Sequence, residues 1–317
     1  MESMNFWEGK RVLVTGGKGF LGSHVCEILK EKNCKEIITP RSSEYNLAKE
    51  EDVRKFFEEN QNIDVIIHLA VDGGGIGYHK EHPGNVFYNN TMMATLLQEY
   101  ARKNSVKKFV GIGSVCSYPK FTPVPFKEEN LWEGYPDETN GTYGLVKKMM
   151  MVQSQAYRDQ YGFNAIHLMP VNLYGPRDDF DLKSSHVIPA LVRKMVGAEK
   201  RKSPSVEIWG TGGASREFLY VKDCAKAIIL ASERYNGRGP INLGSGSEIN
   251  IKDLVIKIKE LTGFVGEIKW NTSMPDGQPR RGLDTSKAEK EFGFVADTNF
   301  DEGLKKTIDW YKNSKLS

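Results

Sequence analysis

The stretch KRVLVTGGKGFLG, residues 10–22, sets an apolar run directly before three glycines spaced as GxxGxxG, at Gly16, Gly19 and Gly22. Val12, Leu13 and Val14 have strand character. Phe20, Leu21, Val25, Ile28 and Leu29 then recur at helical spacing. A glycine loop between a strand and a helix suits a dinucleotide. Glycine permits the tight turn, the close approach of backbone to a pyrophosphate, and close helix–strand packing. The anion then faces unpaired N–H groups at the helix N-terminus. A bare glycine triplet is a weak sign; this one follows a strand, opens a helix and lies near residue 1. Gly16, Lys18, Gly19, Phe20, Leu21 and Gly22 are the expected cradle.

Outward from this loop the pattern alternates. A second strand is expected in EIITP (36–40), a polar helix from Leu47 to Phe57, and a third strand in DVIIHLA (64–70). A long helix from Pro83 to Lys103, a fourth strand in KKFVGIGS (107–114), a helix from Tyr143 to Tyr161 and a fifth strand in NAIHLMPVNLYG (164–175) follow. Strands alternating with helices of this length predict βαβ units and a parallel sheet. The expected fold is α/β: a Rossmann doubly wound parallel sheet with a smaller mixed α/β substrate-binding lobe. Residues 1–174 are expected to form mainly the dinucleotide domain and 175–317 mainly the lobe, with part of 205–250 returning to the sheet.

The chain has 317 residues, 39% hydrophobic and 27% charged, with a net charge of +3. Lys and Arg are mixed with Asp and Glu, which argues against a nucleic-acid partner. The longest apolar runs have strand length, and MESMNFWEGK (1–10) lacks an apolar signal core, so no membrane association and a cytoplasmic location are expected. Cys26, Cys34, Cys116 and Cys224 show no metal-ligand spacing, so no metal and four free thiols are expected.

The second strand runs into Arg41-Ser42-Ser43, with no acid at its immediate end. Arg41 and Lys18 suit a 2′-phosphate, which favours NADP(H); Glu44 lies close enough to leave NAD(H) open. Leu69 and Ala70 after the third strand, and Pro170 in the fifth, are expected to line the same cofactor. Tyr143 and Lys147 stand as YGLVK, and residues at i and i+4 share a helix face. An ammonium near a phenol favours the phenolate, so a lowered Tyr143 pKa is expected, suited to carbonyl–alcohol chemistry. Ser114, at the end of the fourth strand, is placed to hydrogen-bond the same oxygen.

TGGKGFLG, DVIIHLA, GSVCSY, YGLVKK, NLYGP and REFLYVKD together resemble the extended short-chain dehydrogenase/reductases that act on nucleotide sugars. Within them, GGGIG, GSVCSYPK, MPVNLYGPRDDFDLKSSHVIPALVRK, WGTGGASREFLYVKD and PDGQPRRGLD are most similar to the GDP-L-fucose synthase family. The resemblance implies NADPH-dependent epimerisation at C-3 and C-5, with reduction at C-4, of a GDP-4-keto-6-deoxy-hexose. It implies a base at Cys116, an acid at His186 and catalytic Ser114, Tyr143 and Lys147, the latter two also against the cofactor. It also implies substrate contacts from Asn172, Arg193, Lys194, Trp209, Arg216 and Arg281, and a homodimer built on the two long helices.

Other readings stand beside these. A free cysteine is often a small core hydrophobe, His186 suits a helix start, and Trp209 suits core packing. A single-function GDP-sugar C-4 reductase, or an epimerase that retains its nicotinamide, fits much of the same pattern. A non-catalytic sensing or RNA-binding scaffold would be expected to lack the Ser/Tyr/Lys set. Asp72 and Val115 depart from the family pattern, lysine and serine being usual there, and Asp72 is expected to alter contacts to cofactor or sugar.

Overall fold

A computed structural model of the chain describes residues 5–138, 140–274 and 277–314. β1 (Arg11–Thr15) leads through the glycine loop into α1 (Phe20–Glu31), then β2 (Glu36–Ile38) and α2 (Glu50–Glu59). β3 (Val65–His68) precedes a short α3 (Ile76–Glu81), which the sequence pattern does not announce, and the long α4 (Pro83–Lys103). β4 (Lys108–Ile112), α5 (Gly141–Tyr161), β5 (Ala165–Pro170), β6 (Asn172–Tyr174), α6 (Val187–Lys200) and β7 (Ser205–Trp209) follow. The remaining elements are β8 (Ser215–Tyr220), α7 (Val221–Arg234), β9 (Pro240–Leu243), β10 (Glu248–Asn250), α8 (Ile251–Thr262), β11 (Glu267–Asn271), α9 (Ser286–Phe292) and α10 (Phe300–Asn313).

Six strands form one parallel sheet in the order β2-β1-β3-β4-β5-β9. The chain steps outward from β1 to β2, then crosses back to β3, so a switch point opens between β1 and β3. β3, β4, β5 and β9 are buried along their whole length, as strands covered on both faces must be. Val25 and Leu29 of α1 with Ala225 and Ile228 of α7 pack on one face. Phe56 of α2, Leu97 of α4 and Met150 of α5 pack on the other. This is the expected Rossmann arrangement.

The run NAIHLMPVNLYG, read as one strand, is two. β5 ends at Pro170, opposite Leu243 of β9. Two residues later β6 pairs with β8 in a different sheet, with Asn172 opposite Phe218. β5 is buried throughout, while β6 is half-buried at Asn172 and Leu173 and buried at Tyr174; the change of sheet has no local marker. The smaller lobe holds the sheet β10-β8-β6 and the pair β11-β7. Its core joins Ile188 and Leu191 of α6 to Ile208, Phe218, Leu254 and Leu304.

Residues 278–284 strap the lobe to the loop after β4. The Phe126 N–H donates to the Gly282 carbonyl and the Asp284 N–H to the Phe126 carbonyl, both at 2.9 Å. Buried Glu217 anchors the strap by accepting the Leu283 N–H at 2.6 Å and the Gly246 N–H at 2.8 Å. Among the described residues, no helix is long and apolar enough to cross a membrane, and all four cysteines are free.

The glycine loop tolerates no side chain at its far end. A Cβ on Gly22 would collide with the Gly16 carbonyl and the Gly17 Cα. Backbone atoms cannot yield as a flexible side chain does, so Gly22→Ala is expected to cost about 1–3 kcal/mol of stability. Urea unfolding with unchanged slope and a lowered midpoint is the expected result; an unaltered midpoint would show that α1 can move away freely.

Candidate active site

The cofactor-side residues meet at the switch point. Gly16 has φ +68°, and a Cβ there would stand 2.9 Å from the Ala70 nitrogen and 3.0 Å from the Leu69 carbonyl carbon. Thr15 Oγ1 accepts the N–H groups of Leu69 and Ala70, each at 3.1 Å, and lies 2.8 Å from His68 Nδ1. With both lone pairs engaged, the hydroxyl donates its own proton to Nδ1, which sets His68 as the Nε2–H tautomer. Gly19 caps α1, whose first turn has no side-chain cap and no acidic residue. The N–H groups there remain available to an anion. This cradle without side chains, at an uncapped helix start, fits a dinucleotide pyrophosphate. Lys18 follows β1 and Arg41 follows the neighbouring β2, both exposed; Phe20 and Leu21 open α1, and Pro170 closes β5.

Ser114 follows β4 directly and caps a single 3₁₀ turn, Val115–Ser117; its Oγ accepts the Cys116 N–H at 3.1 Å. Cys116 thus lies at the middle of this turn. Gly144 packs directly on the Cys116 carbonyl, where any Cβ would collide. That contact brings the first turn of α5, and Tyr143 with it, against the turn. Arg281 Nη1 of the strap lies 3.8 Å from Cys116 Sγ. Gln278 Oε1 accepts two N–H groups of the same guanidinium, at 3.1 and 2.9 Å, and Gln278 itself donates to the Lys120 carbonyl. Pro275 and Asp276, which open the PDGQPRRGLD motif, lie outside the described residues.

Lys147 is buried, and its ammonium stands 5.4 Å from the Tyr143 ring centroid. Burial pushes Lys147 down to about 8. The expected lowering of the Tyr143 phenol is not found: burial, aided by Cys116, pushes it up. Desolvation of a phenolate outweighs an ammonium that sits over the ring. His68 and His167 are also buried, and desolvation first, then the Lys147 charge, push each down to about 3. Lys147 is therefore flanked by neutral imidazoles.

His186 caps α6 with extended backbone, accessible to solvent yet ringed by protein, and burial lowers its pKa. The glycine loop after β3 closes on the segment before it: the Gly75 N–H donates to the Ser184 carbonyl at 2.5 Å. This brings in His79, which sequence reasoning missed. Its ring lies edge-on to Tyr143 with centroids 5.2 Å apart, and it is close enough to His186 for the two imidazoles to oppose each other's protonation. The available signal was a histidine just after GGGIG, but nothing local says that it points inward. Asp72 holds this loop together. Its carboxylate accepts the Tyr78 hydroxyl and the Asn89 amide, both at 2.6 Å.

The other substrate-side residues lie further out on the lobe. Asn172 donates to the Glu217 carbonyl at 3.1 Å, and Arg216 lies near Gly277. Lys194 stands 5.6 Å from the ring centroid of Trp209, which is 60% exposed and so is not a core residue. Arg193 donates to the Phe180 carbonyl and lies 3.7 Å from Asp181. Arg193, Lys194 and Arg201 line a cavity of about 570 Å³ between α6 and β7, which does not extend to Cys116 or Tyr143.

A dinucleotide cradle with Ser114, Tyr143 and Lys147 beyond it defines a Rossmann enzyme of the short-chain dehydrogenase/reductase type. The chain belongs to the NAD dependent epimerase/dehydratase family, whose sequence profile matches residues 12–244. It is 38% identical over 311 residues to the probable GDP-L-fucose synthase 1 of Oryza sativa subsp. japonica, covering 98% of this chain and 94% of that one. A GDP-6-OMe-4-keto-L-xylo-heptose reductase from C. jejuni superposes with a TM-score of 0.90 at 28% identity, over 96% of this chain and 98% of that one. A GDP-L-fucose synthetase from Naegleria fowleri, bound to NADP, does so at 0.88 and 26%, over 98% and 96%.

The buried Lys147 makes a pH-dependent prediction. Its folded pKa of about 8 lies below the ordinary 10.5, so the folded state resists its protonation. The penalty is full below pH 8 and fades as pH rises toward 10.5. Lys147→Met is expected to stabilise the unliganded protein at pH 7 by on the order of 1–3 kcal/mol, with the gain shrinking above pH 8. Melting temperatures across pH 6–10 check this; a pH-independent loss of stability would contradict it.

Proposed function

We propose that the protein is an NADPH-dependent epimerase/reductase that inverts C-3 and C-5 and reduces C-4 of a GDP-4-keto-6-deoxy-hexose. The observation that carries this reading is Cys116, set against Tyr143 with the Arg281 cation at its sulfur. A plain reductase needs Ser114, Tyr143 and Lys147; a thiol on the same rim adds a base. The likeness to GDP-L-fucose synthases over nearly the whole chain supports it.

A C-4 ketone acidifies the C-3 and C-5 protons, because the carbanion delocalises as an enolate. Each inversion needs a base on one face and an acid on the other. Cys116 takes the proton, and the Arg281 guanidinium attracts the charge of its thiolate. His186, coming from the opposite loop, returns a proton. Bound NADPH supplies hydride for the C-4 carbon. Tyr143 gives its proton to the C-4 oxygen, which Ser114 shares, and the Lys147 charge stabilises the phenolate left behind. Lys18 and Arg41 take the 2′-phosphate. Lys194, Trp209, Arg193 and Arg216 face the nucleoside diphosphate, and Asn172 the sugar side. In this division residues 1–174 serve mainly the cofactor and 175–317 mainly the substrate.

Phe87 and Tyr88 on α4 and Met149 and Val152 on α5 are exposed apolar side chains on two adjacent long helices. A second copy covering them would make a homodimer. Four free thiols suit a reducing compartment, the cytoplasm. The second reading is a C-4 reductase that does not epimerise, acting on a related GDP-heptose; the likeness to the C. jejuni heptose reductase favours it.

One incubation separates them. With GDP-4-keto-6-deoxy-mannose and NADPH in deuterated water, deuterium is expected at C-3 and C-5 as NADPH is consumed. Reduction without deuterium selects a reductase that does not epimerise, and neither event removes the first reading. Cys116→Ser is expected to slow exchange about 100-fold or more while NADPH affinity stays near the parent value.

The cofactor assignment has its own test. Arg41→Ala is expected to weaken NADPH binding by about tenfold and leave NADH binding unchanged. Equal losses for both cofactors would remove Arg41 from the 2′-phosphate.

A further inference from the structure

His79 is 7% exposed, and among the described residues its Nδ1 has no hydrogen-bond partner. A buried polar atom without a partner is costly, so this nitrogen needs a reason. The surroundings limit what it can bind. The Gly74 backbone acts on the ring in the sense of a carbonyl acceptor, and Nε2 lies 3.6 Å from where a Gly73 Cβ would stand. With the proton on Nε2, toward the Gly74 backbone, Nδ1 is left as the free nitrogen of the ring. Burial keeps the ring neutral, with its pKa below the ordinary value. Nδ1 is then a lone-pair acceptor, and the group it takes must be a donor. The titratable groups facing the ring are Asp72 and Tyr78 of its own loop, Tyr143 of α5 and His186 at the start of α6.

Its position follows from close backbone approach. The Gly75 N–H reaches the Ser184 carbonyl, and a Cβ at Gly75 would stand 2.8 Å from the Ser185 carbonyl. A Cβ at Gly77 would stand 3.2 Å from the Lys183 carbonyl. The loop can therefore lie against the segment leading to His186, and α3 carries His79 in between His186 and Tyr143.

We propose that His79 is a substrate-positioning residue whose free Nδ1 accepts a hydrogen bond from the sugar hydroxyl on C-3, next to the reacting carbonyl. The inference rests on the proposed function, in which Tyr143 addresses the C-4 oxygen. A ring that touches Tyr143 edge-on reaches the neighbouring substituent. A proton-donating hydroxyl matches the acceptor, whereas a bare methylene leaves it buried and unpaired. His79 thereby selects sugars that keep the C-3 hydroxyl.

The test compares GDP-4-keto-6-deoxy-mannose with its 3-deoxy counterpart, using NADPH and four proteins. His79→Phe keeps an aromatic ring against Tyr143 but has no nitrogen. His79→Asn places an amide where Nδ1 stands, and His79→Gln places it where Nε2 stands. On the hydroxylated sugar, kcat/KM is expected to fall about 10- to 100-fold in H79F and H79Q. H79N should stay within about threefold of the parent, and all variants should differ little on the 3-deoxy sugar. Melting temperature and NADPH affinity show which variants fold, and the Asn/Gln pair decides the matter if H79F does not. Equal losses on both sugars, or no loss in H79F and H79Q, overturn the inference and leave the function standing. A parent protein that turns over neither sugar overturns the function, and this inference with it.

Discussion

Contact of backbone on backbone at the mouth of the sheet, where Gly16 meets Leu69 and Ala70 and Gly22 meets Gly16, is the constraint from which the rest follows. Side chains there would hold β1, β3 and α1 apart. Without them the switch point closes to a cradle for a phosphate, and Thr15 can satisfy both N–H groups that leave β3. The same closure sets the direction in which the chain departs from β3. It leaves over the top of the sheet toward α5 and α6, so the loop carrying His79 ends beside Tyr143. Cofactor cradle and sugar side are two consequences of one packing event.

Two buried lysines show how the fold treats charge. Lys108 of β4 donates to the Ser232 and Tyr235 carbonyls, each at 2.6 Å, and to Asn236 Oδ1 at 3.0 Å. Its ammonium is fully engaged and ties the sheet to the end of α7. Lys147 makes no such bonds among the described residues. Its neighbours are a tyrosine ring and two neutral histidines. The Thr15 bond keeps one of these in a single tautomer, with its acceptor nitrogen occupied. The first lysine is arranged for stability. The second is arranged to keep a charge under-solvated, so that it acts strongly on whatever forms at the phenol. Stability is surrendered where the chemistry is proposed.

The parts legible in the sequence are those with local causes. Strand and helix periods announced β1, α1, β3, α4, β4 and α5, because each buries a continuous face of its own. Gly16, Gly19 and Gly22 were legible because a tight turn constrains residue type. The break between β5 and β6 was not, since a change of sheet within one apolar run leaves no local mark. The direction of the Tyr143 phenol was misjudged for a related reason: i, i+4 spacing is local, whereas burial of the ring is made by the whole fold. Arg281 and Cys116 are 165 residues apart, and only resemblance named them together. His79 had only its place just after GGGIG, which does not say that it points inward, and no role in that resemblance.

The site thus divides by rigidity. Ser114, Cys116, Tyr143 and Lys147 follow β4 or sit on the first turns of α5, anchored to the most buried strands. Such fixed placement suits the roles proposed for these four, because small displacements cost large factors in rate. His79, His186 and Arg281 stand instead on segments outside the central sheet, each held by a few specific bonds: Asp72 to Tyr78 and Asn89, Gly75 to Ser184, Arg281 to Gln278. Such segments can change sequence without disturbing the sheet. Asp72, where the family pattern has lysine, illustrates this: the acid braces its own loop and thereby fixes His79. The departure from pattern and the imidazole unpaired among the described residues belong to one arrangement, which matches the proposed division between groups that react with the sugar and a loop that selects it.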